Sequence, residues 1–216
     1  MTDKLQVSEI YRSIQGEGTR VGQPCLLVRL AGCNLSCRWC DTRYAATEQG
    51  REMSIEEVLA EVSRHPSRMV MLTGGEPLLQ AAALGLLEQL CDLGKEVVLM
   101  TNGSCDISAV DARVIRCIDV KCPLSGESES MLWSNLDCLC SLDEAKFVIA
   151  GRTDYDYAAA VCARYNLPAR CTVIFSPACG LLAPGDLANW ILQDGLEVRV
   201  GVQLHKVIWP GTNRGV

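Results

Sequence analysis

From residue 25 onward the chain alternates short runs rich in Val, Leu, Ile and Met with longer stretches of helical spacing, and this alternation limits the fold more than any other feature. CLLVRLAG (25–32) is a near-continuous apolar run, the pattern of a strand buried on both faces. MVMLTGGEP (69–77), VVLMTNG (97–103), VIRCIDVKCP (114–123), AKFVIAG (145–151), CTVIFSP (171–177) and EVRVGVQLHK (197–206) read as further strands. Between them, Ser54-Ile55-Glu56-Glu57 is a capping box that opens a helix to about Arg64, with Ile55, Val58, Leu59 and Val62 on one stripe. Helical patterns also run from about Leu79 to Gly94, over 154–166, and from Leu187 to Gln193. Strands alternating with helices imply parallel βα units. The segment after residue 32, TGGEP, TNG, DVKCP, FSP and QLHK all stand at the carboxyl end of a strand. In a βα barrel, that is the one face on which sites assemble. About six strands are too few to close an eight-stranded barrel. The expectation is therefore an α/β fold, a partial, open parallel βα barrel.

A weaker alternation over 5–13 reads as one more strand, and 124–144 is irregular with Trp133 as an anchor. No repeat, low-complexity tract or linker interrupts the chain. A single domain over 1–216 is expected, with an N-terminal segment (1–24), the barrel (25–206) and a tail (207–216). The formal charge of −6 disfavours nonspecific nucleic-acid binding, which needs a basic face. MTDKLQVSEIYRS lacks a signal-peptide core, and no run has the length of a membrane span, so a cytoplasmic protein is expected. Thirteen cysteines are then not a disulfide set. Cys25, Cys91, Cys162 and Cys171 sit in apolar surroundings and read as small core residues. Cys117, Cys122, Cys138 and Cys140 lack the recurring C-x2-C pair of a second metal site.

GCNLSCRWCDT (32–42) places Cys33, Cys37 and Cys40 at C-x3-C-x2-C. Thiolates suit zinc or iron–sulfur clusters, and both take four ligands in closed sites. Three local thiolates would leave one position open, as a reactive centre requires. The same spacing also fits three buried cysteines on one helix face, although Gly32, Asn34 and Ser36 favour a loop and Trp39 gives it an aromatic cover. Upstream, SIQGEGTRVGQP (13–24) is either a hairpin connection or a loop laid over a ligand, with Gln15 and Glu17 offering an amide and a carboxylate to a pterin-like edge. Arg29, inside an apolar strand, is either half of an internal ion pair or a fork for a substrate carboxylate. Thr42 reads as a helix cap. Asp119 and Lys121 read as an ion pair, and His205 as a substrate contact, a proton carrier or a polar strand end.

C-x3-C-x2-C with an aromatic residue before the third cysteine resembles the signature of radical S-adenosylmethionine (SAM) enzymes. With CDT (40–42), IQGEG (14–18) and Arg29, the chain resembles the 7-carboxy-7-deazaguanine synthase family in particular. The resemblance implies a [4Fe–4S] cluster on Cys33, Cys37 and Cys40, whose open iron takes SAM, and a magnesium ion on Thr42. It implies SAM contacts from Trp39, Cys40, Asp41, Gly75, Asp119, Val120 and Lys121, and from Phe175, Ser176, Pro177 and Ala178. It implies substrate contacts from Ile14, Gln15, Gly16, Glu17, Arg29 and Thr73, and His205 is a further candidate for one. The implied reaction converts 6-carboxy-5,6,7,8-tetrahydropterin to 7-carboxy-7-deazaguanine with loss of ammonia, for queuosine or a related deazapurine. Its radical arises on SAM, with no protein acid or base assigned. A reduced flavodoxin- or ferredoxin-type donor and a homodimer come with the family. Rival readings are an activase for a glycyl-radical enzyme and a non-enzymatic iron–sulfur module. The extra cysteines and the WPGTNRGV tail depart from familiar members, and the tail is a candidate for closing over the pocket.

Overall fold

The computed structural model describes residues 3–212 and 214–216. Met1 and Thr2 of the N-terminal stretch and Asn213 of the tail lie outside the described residues. In chain order the elements are β1 (Lys4–Ile14), β2 (Pro24–Leu30), α1 (Arg43–Thr47), β3 (Arg51–Ser54), α2 (Ile55–Ser63), β4 (Met69–Gly74), α3 (Ala82–Asp92) and β5 (Glu96–Thr101). They continue with β6 (Ile115–Val120), α4 (Ser134–Asp137), β7 (Glu144–Ile149), α5 (Arg152–Tyr165), β8 (Thr172–Pro177), α6 (Pro184–Asp194), β9 (Arg199–Val200) and α7 (Leu204–Ile208). One nine-stranded sheet runs β3-β1-β2-β4-β5-β6-β7-β8-β9. From β2 to β9 every pairing is parallel, while β1 runs antiparallel to β2 and β3. The sheet ends at β3 and β9, so the barrel is open. Its parallel body is the six strands β2 and β4–β8, in keeping with the expected number. Among the described residues, no helix is long and apolar enough to cross a membrane.

The apolar runs of these strands have two separate destinations because both faces are covered. The outward set, including Leu26, Val28, Leu30, Val70, Leu72, Val97 and Leu99, meets the helices in the main core. The helices supply matching stripes: Ile55, Val58 and Val62 of α2, Ala83, Leu86, Leu87 and Leu90 of α3, and Tyr155, Ala158 and Val161 of α5. The inward set forms a smaller cluster of Cys25, Leu27, Met69, Met71, Val98 and Ile115, the floor of the barrel. Two residues further along the same inward rows, the sequence turns polar at Arg29 and Thr73. The parallel register pairs those two residues directly. The site is thus the continuation of an apolar interior into a polar rim.

The capping box is present at Ser54, whose hydroxyl accepts from Glu57 N–H while the Glu57 carboxylate accepts from Ser54 N–H. Trp133 does anchor the irregular segment, stacking on Tyr165 with ring centres 5.8 Å apart. The last predicted strand is the main departure. Of 197–206, only Arg199–Val200 pairs with the sheet, and Leu204–Ile208 is helical, so His205 stands on α7 and not at a strand end. Gly201 still donates to Phe175 O at 2.8 Å, and a Cβ there would fall 2.6 Å from Ile174 Cγ2. Beyond it the chain leaves the sheet, and Leu204 N–H bonds Gly16 O at 2.9 Å. A long-range partner in the first loop displaces the local strand preference.

Candidate active site

The carboxyl ends of β2 and β4–β8 surround one cavity. The segment between β2 and α1 carries the three cysteines as an irregular loop, not a helix face. Cys33 and Cys37 are half-buried and Cys40 is exposed, and all three edge the cavity together with Trp39, Asp41 and Thr42. The loop is held at its root by the turn after β4. Gly32 O accepts from Glu76 N–H at 2.9 Å, and a Cβ on Gly75 would lie 2.0 Å from Gly32 O and 2.8 Å from Cys33 Cβ. Only glycine at Gly75 permits that approach. Further along, Ser36 N–H donates to Glu127, Arg38 N–H to Ser125 O, and Asn34 pairs with Asn102 and Ser104.

Glu76, not singled out from the sequence, is the hub under this loop. It is fully buried, and its carboxylate accepts from Leu78 N–H (3.0 Å), the Thr101 hydroxyl (2.9 Å) and Asn102 N–H (2.6 Å). Burial raises its pKa, and those donors oppose the rise. Asn102 in turn lies 3.8 Å from Cys33 Sγ through its side-chain amide. The Gly-Gly-Glu-Pro string gives no hint of this, because Thr101 and Asn102 come from another strand end.

The loop after β1 also borders the cavity and is closed by Gln15 N–H to Gln23 O and Gly22 N–H to Gln15 O. It is therefore a hairpin connection, as its sequence allowed, and it also presents Ile14, Gln15, Gly16 and Glu17 to the cavity. Arg29 lies in an internal ion pair, with Nε 2.7 Å from Glu9 Oε1 and one Nη 2.7 Å from the Tyr11 hydroxyl. Its other Nη has no partner among the described residues, and the side chain lines the cavity. Thr73 lines it beside Arg29. Thr42 sits at the N-cap of α1 but makes no capping hydrogen bond, and its hydroxyl lies 3.9 Å from Cys40 Sγ.

Asp119, Val120 and Lys121 line the third side. Lys121 is 3.0 Å and Lys146 3.6 Å from Asp119 Oδ2, while Asp119 Oδ1 is buried with no hydrogen-bond partner among the described residues. Burial works against the Asp119 anion, but the two ammonium groups outweigh it and hold its pKa below the usual carboxylate value. Ala178 reaches the cavity, whereas Phe175, Ser176 and Pro177 do not. Phe175 is buried in an aromatic group with Phe147 and Tyr155, at 5.4 and 5.9 Å between ring centres. His205 lines the cavity from α7, where burial lowers its pKa against the pull of Glu17 and Asp41. Lys146, Gln203, Lys206 and Cys179 are further lining residues that the sequence did not nominate. Val216 also lines the cavity, and its backbone carbonyl accepts from the Tyr11 hydroxyl at 3.0 Å, so the tail does reach this face.

The donor set fits the groups the sequence implied. Among the described residues, no three His, Cys, Asp or Glu side chains meet around a point suited to a single ion. The three thiols instead border a shared opening, the arrangement a larger cluster with one free corner needs. Burial pushes the Cys33 and Cys37 thiols up, a preference that a cationic centre reverses. Asp119 Oδ1 is an orphaned acceptor that a ligand donor would satisfy. Thr42 offers one hard oxygen, enough for a magnesium ion that keeps its waters and a substrate carboxylate.

An open βα barrel with three thiols at its carboxyl face defines a radical SAM enzyme, and the Radical SAM superfamily matches residues 27–115. A protein of Koribacter versatilis named 7-carboxy-7-deazaguanine synthase is 44% identical to the chain, covering 98% of it and 100% of that protein. One of the same name from Chlorobaculum tepidum is also 44% identical, covering 98% and 97%. The crystal structure of QueE from Escherichia coli shares the fold, with a TM-score of 0.78 over 94% of this chain and 95% of that one, at 21% identity. The chain belongs to the 7-carboxy-7-deazaguanine synthase family.

Proposed function

We propose that the chain converts 6-carboxy-5,6,7,8-tetrahydropterin to 7-carboxy-7-deazaguanine with release of ammonia, using a [4Fe–4S] cluster, SAM and magnesium. The observation that carries this is the single cavity shared by the cysteine loop, the IQGEG loop and the Arg29–Thr73 pair. Cys33, Cys37 and Cys40 would hold the cluster, and Gly75, Asp119, Val120, Lys121 and Ala178, which line the same cavity, would contact SAM. When bound, the cluster and SAM supply one-electron cleavage and hydrogen-atom abstraction; this is chemistry of the cofactor, not of a side chain.

The chain's own residues bind and orient. Glu17 offers a carboxylate that can take two parallel N–H groups from a pterin edge. The free Nη of Arg29 and a magnesium ion on Thr42 receive the substrate carboxylate. Thr73 and Gln15 close the polar rim, and the apolar floor beneath excludes water from the reacting face. The reaction draws one electron from outside, in our reading from a flavodoxin- or ferredoxin-type donor. We take the working form as a homodimer and its place as the cytoplasm, where the free thiols stay reduced.

Anaerobic reconstitution with iron and sulfide, followed by SAM, reductant and the carboxytetrahydropterin, tests the proposal. Deoxyadenosine together with carboxydeazaguanine is the expected result. Deoxyadenosine without carboxydeazaguanine overturns the substrate assignment and favours an activase. No cleavage of SAM at all overturns the radical reading.

A further inference from the structure

Strand β7 places Glu144 and Lys146 two residues apart, so both point into the barrel. They are 2% and 3% exposed. The interior beneath them is apolar, so nothing in the packing calls for two charges at this level. A buried ion pair is no more stabilising than well-fitted apolar residues, and its presence therefore asks for another role.

Both side chains find partners on the loop between β1 and β2, and Lys146 also stands 3.6 Å from Asp119 Oδ2 on β6. Glu144 accepts from Thr19 N–H at 3.0 Å and from the Thr19 hydroxyl, and stands 3.6 Å from an Arg20 Nη. Gly18, at φ +80°, lets the loop close on this carboxylate; a Cβ there would fall 2.6 Å from Glu144 Oε2. Lys146 Nζ donates to Glu17 Oε2, and the other oxygen, Oε1, accepts from Gln203 Nε2 at 2.6 Å. Each carboxylate oxygen of Glu17 thus has one donor from the protein and one lone-pair direction left. Glu17 and Lys146 both line the cavity. Burial opposes the charge on Lys146, but Glu17 and Asp119 outweigh it and keep the ammonium protonated.

We propose that Lys146 is a positioning residue for the reaction: it pins the Glu17 carboxylate in one orientation across the cavity, on a loop that Glu144 fixes, so that the N–H edge of the substrate meets a preset acceptor. This rests on the reading of Glu17 as a substrate contact. Preorganisation of this kind acts on substrate affinity, because a freely turning carboxylate must be ordered each time substrate binds.

The test is a double-mutant cycle on the reconstituted enzyme, with KM and kcat for the carboxytetrahydropterin as readouts. E17Q and K146M should each raise KM about tenfold, with a smaller change in kcat. The double variant E17Q/K146M should be no worse than E17Q, since Lys146 acts through Glu17. K146R, which keeps a cation at the same place, should stay within about threefold of the parent KM. If E17Q leaves KM unchanged, the assignment of Glu17 fails and the proposal falls with its premise. If E17Q raises KM while K146M does not, or if the two effects multiply, Glu17 stands and the role of Lys146 is overturned. Should K146M not fold, the double variant still decides, because it leaves no unpaired carboxylate at residue 17. Equality with E17Q supports the proposal, and a further rise in KM overturns it.

Discussion

Replacing Glu76 with alanine removes one carboxylate shared by three donors from two strand ends. The hydroxyl of Thr101 can turn to another acceptor, but Leu78 N–H and Asn102 N–H are fixed by the backbone. Each buried N–H left without a partner costs about 1–3 kcal/mol. Part is returned, because burial disfavours the Glu76 anion in the first place. The net loss for E76A is about 3 kcal/mol, within the range for breaking a buried network. E76Q keeps an acceptor for one N–H but points its amide at the other, for a loss of about 1–2 kcal/mol. Urea unfolding of the metal-free protein reads this directly. With a slope of about 1–3 kcal/mol/M, E76A should lower the midpoint by roughly 1–3 M at unchanged slope. A midpoint equal to that of the parent would refute the reasoning that Glu76 staples the turn after β4 to the end of β5. Because Asn102 also touches Cys33, the same variant should hold its cluster less firmly after reconstitution.

Three further outcomes are expected. A Cβ on Gly16 would fall 2.0 Å from His205 Nδ1, so G16A should turn the imidazole out of the cavity; KM should rise about tenfold, and adding H205A should cause no additional rise. Brief iodoacetamide treatment of the folded metal-free protein should label the exposed Cys40, Cys138, Cys140 and Cys179 first. Cys25 and Cys162, whose thiols burial pushes up to about 12, and Cys171, pushed up to about 11, should stay unlabelled until unfolding, as peptide mass spectrometry would reveal. His205 has a pKa below the usual 6.5 because of its burial, so between that depressed value and about 6.5 the unfolded chain binds a proton that the folded one does not. Stability should therefore fall as pH drops below about 6.5, and H205Q should flatten that slope in urea midpoints measured from pH 7.5 to 5.5. An identical slope in both proteins would show that another group is responsible.

The strands and helices could be read from the chain because their signals are local. The buried parallel strands are carried by runs of apolar residues, the Ser54 capping box lies within four residues, and Gly195 ends α6 in the left-handed conformation that glycine adopts freely. The cysteine loop was legible for the same reason: three thiols and the turn residues between them are contiguous. Tertiary structure alone decided what those pieces meet. It turned 204–208 into a helix by giving Leu204 N–H a partner in Gly16, and it sent Phe175 toward α5 rather than the cavity. It also placed Glu76 beneath Cys33, and Lys146 against Glu17 from 129 residues away. Spacing along a chain encodes backbone preference and the face of an element. Which buried charge answers which is set only when strand register and barrel curvature bring distant side chains within hydrogen-bond reach.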